Sequence, residues 1–177
     1  MKNMSKTAII YAILAAALYA INIPLSKLLL NHIPPTLMAG FLYLGAGTGM
    51  FLLSIIHKEN DETQKLTKAE LPYTLGMIVL DIAAPIFLMF GLIMTNSANA
   101  SLLNNFEIVA TSIIALVCFK EIISPKLWTA ILFITVSTII LSFEDMSAFA
   151  FSKGSLLILC ACVCWGFENN CTRKLSS

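Results

Sequence analysis

Six long apolar stretches separated by polar breaks organise this chain. A bilayer core about 30 Å thick needs roughly 20 apolar helical residues to cross it. By that measure the pattern predicts helices over about Thr7–Leu30, Thr36–His57, Leu71–Thr95, Asn99–Phe119, Pro125–Phe143 and Lys153–Leu175. The first break, Asn31–Pro35, ends in two prolines, and the residue before a proline is pushed out of helical geometry. Pro125 stands where a first helical turn tolerates it. The one long polar stretch, Lys58–Glu70, is charged, lacks apolar periodicity and reads as a solvated loop. None of the apolar segments alternates with period two, which argues against a β-barrel. The expected fold is therefore an all-α integral membrane protein, a multi-pass bundle of about six transmembrane helices.

Composition agrees. Of 177 residues, 58% are hydrophobic and 12% charged, with a mean hydropathy of +0.86. Soluble domains carry about 25% charge. The net charge of +1 gives no basis for nucleic-acid binding. The basic residues are unevenly placed along the chain. A cytoplasmic N-terminus puts Lys2, Lys6, Lys58, Lys65, Lys68, Lys120, Lys126, Arg173 and Lys174 inside, and only Lys27 and Lys153 outside. The expected location is the plasma (inner) membrane with the N-terminus cytoplasmic and the acidic loop from Glu144 outside. The first apolar run is too long for a signal-peptide core and is read as a membrane span. Cys118, Cys160, Cys162, Cys164 and Cys171 all lie in apolar segments without zinc-site spacing, and free thiols are expected.

Candidate chemistry lies in the polar residues inside the spans. From Asn96 to Thr111, Ser97, Ser101, Asn104, Glu107 and Thr111 recur at helical spacing on one side. Glu107 falls roughly 13 Å into its helix, near the bilayer midplane. A carboxylate there costs several kcal/mol unless it faces a polar cavity or a partner. The alternative is a neutral or hydrogen-bonded acid that glues helices together. Asp81 lies at a similar depth in the preceding span, so the two acids could face one cavity. Pro85, one turn on, cannot donate to the carbonyl of Asp81. Asn22 beside Pro24, and Glu168, Asn169 and Asn170 in the last span, complete the polar set. Glu107, Asp81, Asn104, Asn22, Glu168 and Asn169 are the candidate substrate or ion pathway. Lys27 and Arg173 sit near helix ends, where long cations snorkel to the interface. Gly45 and Gly49 form a G-x-x-x-G that permits close helix approach. Intramembrane catalysis would need a nucleophile with a base, paired aspartates or clustered histidines. His32 and His57 both lie at helix ends, so no enzyme is expected, and no cofactor is indicated.

The end of the chain echoes its beginning. Tyr19, Ala20, Asn22, Ser26 and Lys27 align in order with Trp165, Gly166, Glu168, Thr172 and Arg173. The second copy comes five helices after the first, so the two would cross the membrane in opposite senses, as in the inverted repeats of many transporters. Three segments carry a family resemblance: Tyr19-Ala20-x-Asn22-x-Pro24-x-x-Lys27, Thr95 through Leu103, and Phe119-Lys-Glu-Ile-Ile-Ser-Pro-Lys-Leu-Trp128. They resemble the EamA family of the drug/metabolite transporter superfamily. The chain departs from that pattern at Tyr19, Tyr43 and Glu107, where Trp, Arg and Pro are common. The resemblance implies a first five-helix repeat over residues 1–145, followed over 153–177 by the first helix of a truncated second repeat. It implies a transporter that exports a small metabolite, amino acid or drug by alternating access, with proton or ion coupling. Its partners would be a small-molecule substrate and the lipid bilayer. A non-transporting remnant, or a half-transporter that self-associates, remains the open alternative, in which the last helix would lack its packing partners.

Overall fold

The computed structural model describes residues 6–56, 67–68, 70–145 and 150–176. Most of the polar 58–70 stretch and the middle of the acidic loop after Glu144 lie outside the described residues. The chain is an all-helical, multi-pass membrane bundle. Its helices are α1 (Lys6–Leu29), α2 (Pro35–Ile56), α3 (Leu71–Met94), α4 (Ser97–Leu103), α5 (Phe106–Phe119), α6 (Pro125–Ser142) and α7 (Lys153–Leu175). A two-stranded hairpin, β1 (Phe143–Asp145) with β2 (Ala150–Phe151), connects α6 to α7 and pairs Phe143 with Phe151. Among the described residues, five segments are long and apolar enough to cross a membrane, α4 and α5 together forming one of them. The 18 residues of α6 rise about 27 Å, close to the hydrocarbon thickness.

The span expected as one helix over Asn99–Phe119 is divided. It starts two residues earlier, where the Asn96 side chain accepts the Asn99 N–H at 2.8 Å. It then breaks at Asn104–Asn105. There the backbone tightens to three-residue bonds: Asn105 N–H to Leu102 O (3.2 Å), Glu107 N–H to Asn104 O (3.2 Å) and Ile108 N–H to Asn105 O (3.1 Å). The Asn105 side-chain amide donates back to Ser101 O (3.3 Å) and Leu102 O (3.1 Å). Local amide competition for backbone groups thus divides a helix that contains no proline or glycine.

The core forms around α7, which lies between α3 and α5. Gly91 faces Gly154 and Gly76 faces Cys171, so α3 and α7 are antiparallel. Cys162 meets Leu103 and Gly166 meets Ala110, so α5 and α7 run in the same sense. The contacts are tight enough to require glycine. A methyl at Gly91 would sit 2.7 Å from Gly154 O and 2.7 Å from Ile158 Cγ1. One at Gly166 would lie 2.9 Å from both Ala110 Cβ and Thr111 N. Met89, Leu92, Leu103, Ile158, Ala161 and Cys162 fill the interior between these approaches. The last helix therefore does not lack partners: 39% of its most apolar window is enclosed, against 6% for α1 and α2. The Gly45–Gly49 pair, by contrast, has nothing within 4 Å of where a side chain would begin, and among the described residues no helix packs there.

The first helix, α1, joins the bundle through its second half, where Ile23 and Ser26 are buried. Lys27 does more than snorkel. Its ammonium donates to Leu92 O (2.5 Å) and Ile93 O (3.0 Å), the last carbonyls of α3, where cations are favoured. Because α1 and α3 end together and α7 starts there, α1 and α7 run in opposite senses. At the far end Arg173 pairs with Glu121 (2.5 Å), joining α7 to the turn after α5. That turn is a left-handed cap at Lys120 (φ 56°), closed by Glu121 N–H to Ala115 O at 3.2 Å. Ahead of α3, Glu70 accepts from the Thr67 backbone N–H (2.6 Å) and hydroxyl (2.9 Å), which holds its carboxyl below the usual glutamate range.

These contacts predict a contrast between glycines. Gly91→Ala and Gly166→Ala are expected to cost about 1–3 kcal/mol, as forced overpacking does. Gly45→Ala and Gly49→Ala should stay within about 1 kcal/mol of the parent, on the stabilising side. Denaturant titration in mixed micelles, followed by circular dichroism, measures both.

Candidate functional site

The break between α4 and α5 opens onto a cleft of about 400 Å³. Five of the membrane spans contribute to its walls. Tyr19 and Asn22 come from α1, Tyr43 from α2, Glu107 from the first turn of α5, and Trp165 from α7. Asn104 stands at the break itself, and α3 supplies Pro85, Leu88 and Met89 as an apolar floor. A second cleft of about 410 Å³ adjoins it, sharing Tyr19, Asn104 and Glu107 and adding Ala20 and Ser101. Pro24 has no N–H to give the Ala20 carbonyl four residues back, so the proline expected to expose backbone in α1 lies beside this space.

Each polar group here is placed by a neighbour. The Asn104 amide donates to Tyr19 Oη at 3.0 Å. The Cys162 thiol, fully buried on α7, points at Leu103 O (3.7 Å) and Asn104 O (3.7 Å), the carbonyls at the helix break, of which Asn104 O also accepts the Glu107 N–H. The Asn169 amide donates to Glu107 Oε1 at 2.9 Å and reaches Thr111 Oγ1 at 3.3 Å. Asn170, almost wholly buried, donates to Thr111 O (3.0 Å) and Gly166 O (2.7 Å), fastening α7 to α5 just behind. Glu107 is half-buried and lies in the first turn of α5, where the helix dipole favours negative charge. Its hydrogen-bond donor is a neutral amide, and among the described residues no ion pair forms on it.

Of the sequence candidates, Glu107, Asn104 and Asn22 line the cleft together, and Asn169 supports Glu107 from behind. Asn22 accepts from Ser26 at 3.2 Å. Asp81 is not in the same cavity as Glu107. It lines a separate cleft between α2 and α3, where Tyr43 donates to its carboxylate at 3.2 Å. Tyr43 and Pro85 line both spaces and divide them. Glu168 accepts from Thr172 one turn along its own helix and does not line the Glu107 cleft. The aromatic wall of Tyr19, Tyr43 and Trp165 was not among the candidates. The alignment of Tyr19 with Trp165 in the internal match was the available signal. Among the described residues, no three of His, Cys, Asp and Glu come together as metal ligands would. The arrangement offers one carboxylate, neutral amides and aromatic faces around a small space. It can bind a solute that presents hydrogen-bond donors or positive charge to Glu107 and an apolar part to the rings.

A sequence model described as the EamA-like transporter family matches residues 6–143. A protein named "Uncharacterized transporter" from Methanothermobacter thermautotrophicus is 23% identical over 179 residues, which cover 93% of this chain and 52% of that protein. The chain thus spans about half the length of the curated relative it matches. No solved structure matches it.

The support of Glu107 by Asn169 can be measured directly. Asn169→Ala is expected to cost about 1–3 kcal/mol, because it strands a partly buried carboxylate. Glu107→Gln combined with Asn169→Ala should cost less than the sum of the two single changes, by about 0.5 kcal/mol or more. A double-mutant cycle by denaturant titration in mixed micelles reads that coupling.

Proposed function

The chain belongs to the EamA-like transporter family, and on that footing we propose that it carries a small polar solute across the membrane through the Glu107 cleft. The solute class is a small metabolite, amino acid or drug bearing an amine or another donor group. The observation that carries this reading is the position of Glu107: a half-buried acid, in the first turn of a half-helix inside a membrane span, opening onto a cleft and hydrogen-bonded by a neutral amide. Broken helices place such groups at midplane binding sites in many carriers. In this reading Glu107 faces the charged or donor end of the solute. Asn22 and Asn104 orient polar groups, and Tyr19, Tyr43 and Trp165 enclose the rest.

Alternating access would arise between two inverted repeats. Residues 1–145 correspond to the first, and 153–177 to the opening helix of the second. The opposite directions of α1 and α7 support that division. The uneven distribution of lysine and arginine supports a cytoplasmic N-terminus in the plasma membrane, and the resemblance to exporters supports outward movement, with ion coupling through Glu107.

Purified chain in liposomes preloaded with unlabelled amino acids or amines should take up the labelled solute by counterflow. Glu107→Gln is expected to lower that exchange by about 10-fold or more and to flatten its dependence on pH. Unchanged exchange and an unchanged pH profile in the variant would remove Glu107 from the pathway.

A further inference from the structure

We infer that the cleft between α2 and α3 is a second, separate binding site, and that it takes an amphipathic ammonium cation with its amine on Asp81 and its apolar body against the α3 isoleucines. The space is about 420 Å³, within the range that small ligands fill. Its walls are largely apolar, with Ile78, Ile82 and Ile86 along α3. Ile78 and Ile82 are exposed, so the cleft opens on the outside of the described helices. Opposite them, Gly40 of α2 has nothing within 4 Å of where a side chain would begin, and α2 does not close the space.

At one side of this apolar cleft stands Asp81. The Asp81 carboxylate takes a hydrogen bond from Tyr43 on one oxygen, Oδ1. The Asp81 main-chain carbonyl faces Pro85 four residues on, which has no N–H to offer it. Among the described residues, no lysine or arginine forms an ion pair with Asp81. A carboxylate beside an apolar space in a membrane requires a counter-charge or a proton. A ligand ammonium supplies the charge and an N–H donor to the carboxylate, while a hydrocarbon body of matching size covers the isoleucines. The Glu107 cleft has a different character, with three aromatic rings and several amides, and Tyr43 separates the two.

Equilibrium dialysis of labelled adamantylamine against the full chain in nanodiscs of zwitterionic lipid tests this, with empty nanodiscs subtracted. Saturable binding at one site is expected. Asp81→Asn should weaken it by about 10- to 100-fold, the effect of losing a charged hydrogen-bond partner, while weaker binding of the neutral adamantanol stays unchanged. Gly40→Leu, which keeps the carboxylate and fills the cleft from the open side, should abolish binding of both. Amine binding no greater than to empty nanodiscs overturns the inference. So does binding that survives in Asp81→Asn and in Gly40→Leu. A loss caused by Glu107→Gln and not by Asp81→Asn would assign the amine to the other cleft and also overturn it. Counterflow through the Glu107 cleft is read separately, so the failure of one site is distinguishable from failure of the other.

Discussion

The structure depends on the approach of α7 to two other helix backbones at once. In lipid no hydrophobic force draws apolar helices together, so association relies on close packing and on hydrogen bonds between helices. At Gly91 and Gly154 the α3 and α7 backbones meet with no room for a methyl group, and at Gly166 the same is true of α7 against α5. Those contacts fix the rotation of α7. They turn Cys162 under the helix break, Trp165 into the cleft and Asn169 onto Glu107. A small rotation of this helix would separate all three from their partners.

The break at Asn104–Asn105 is the second element of the design, and it is tolerable only because of the first. Interrupting a helix at membrane depth leaves carbonyls that lipid cannot satisfy, so such backbone must be buried in protein or line a cavity. Here both occur. The Cys162 thiol reaches the carbonyls on the protein side, and the Asn104 side chain turns to Tyr19 on the cleft side. The interruption also gives α5 a new N-terminus inside the membrane, and Glu107 lies in its first turn. An acid that looks costly on a continuous apolar helix is stabilised there by the dipole of the half-helix and by a donated amide.

Much of this was legible in the sequence. Span length and polar breaks located the helices to within a few residues, since hydropathy dominates in a bilayer. The same logic singled out Glu107, Asn104 and Asn22, which do share a cleft. What hydropathy does not report is rotation about a helix axis. Gly45 and Gly49 have the spacing of a packing motif but meet no other helix among the described residues, whereas Gly91, Gly154 and Gly166 lie on three-dimensional contacts that no single-segment pattern reveals. The break eluded the sequence pattern for a related reason. Asparagine is only mildly unfavourable within a helix, and whether its amide turns back on the backbone depends on what the neighbouring helices offer. Asp81 matched Glu107 in depth but points between α2 and α3, a choice again made by rotation.

The central claim is that α7 and the broken span together hold a polar, water-accessible cleft at membrane depth. Thiol labelling tests it most directly. In a version with Cys118, Cys160, Cys164 and Cys171 replaced by alanine, single cysteines would be placed at Tyr19 and Asn22, which line the cleft, and at Ala17 and Ile21, which are exposed on the opposite side of the same helix. Reaction with a charged, membrane-impermeant maleimide in native membranes should be rapid at the first two positions and absent at the others. Equal reactivity at all four, or none at Tyr19 and Asn22, would contradict the account.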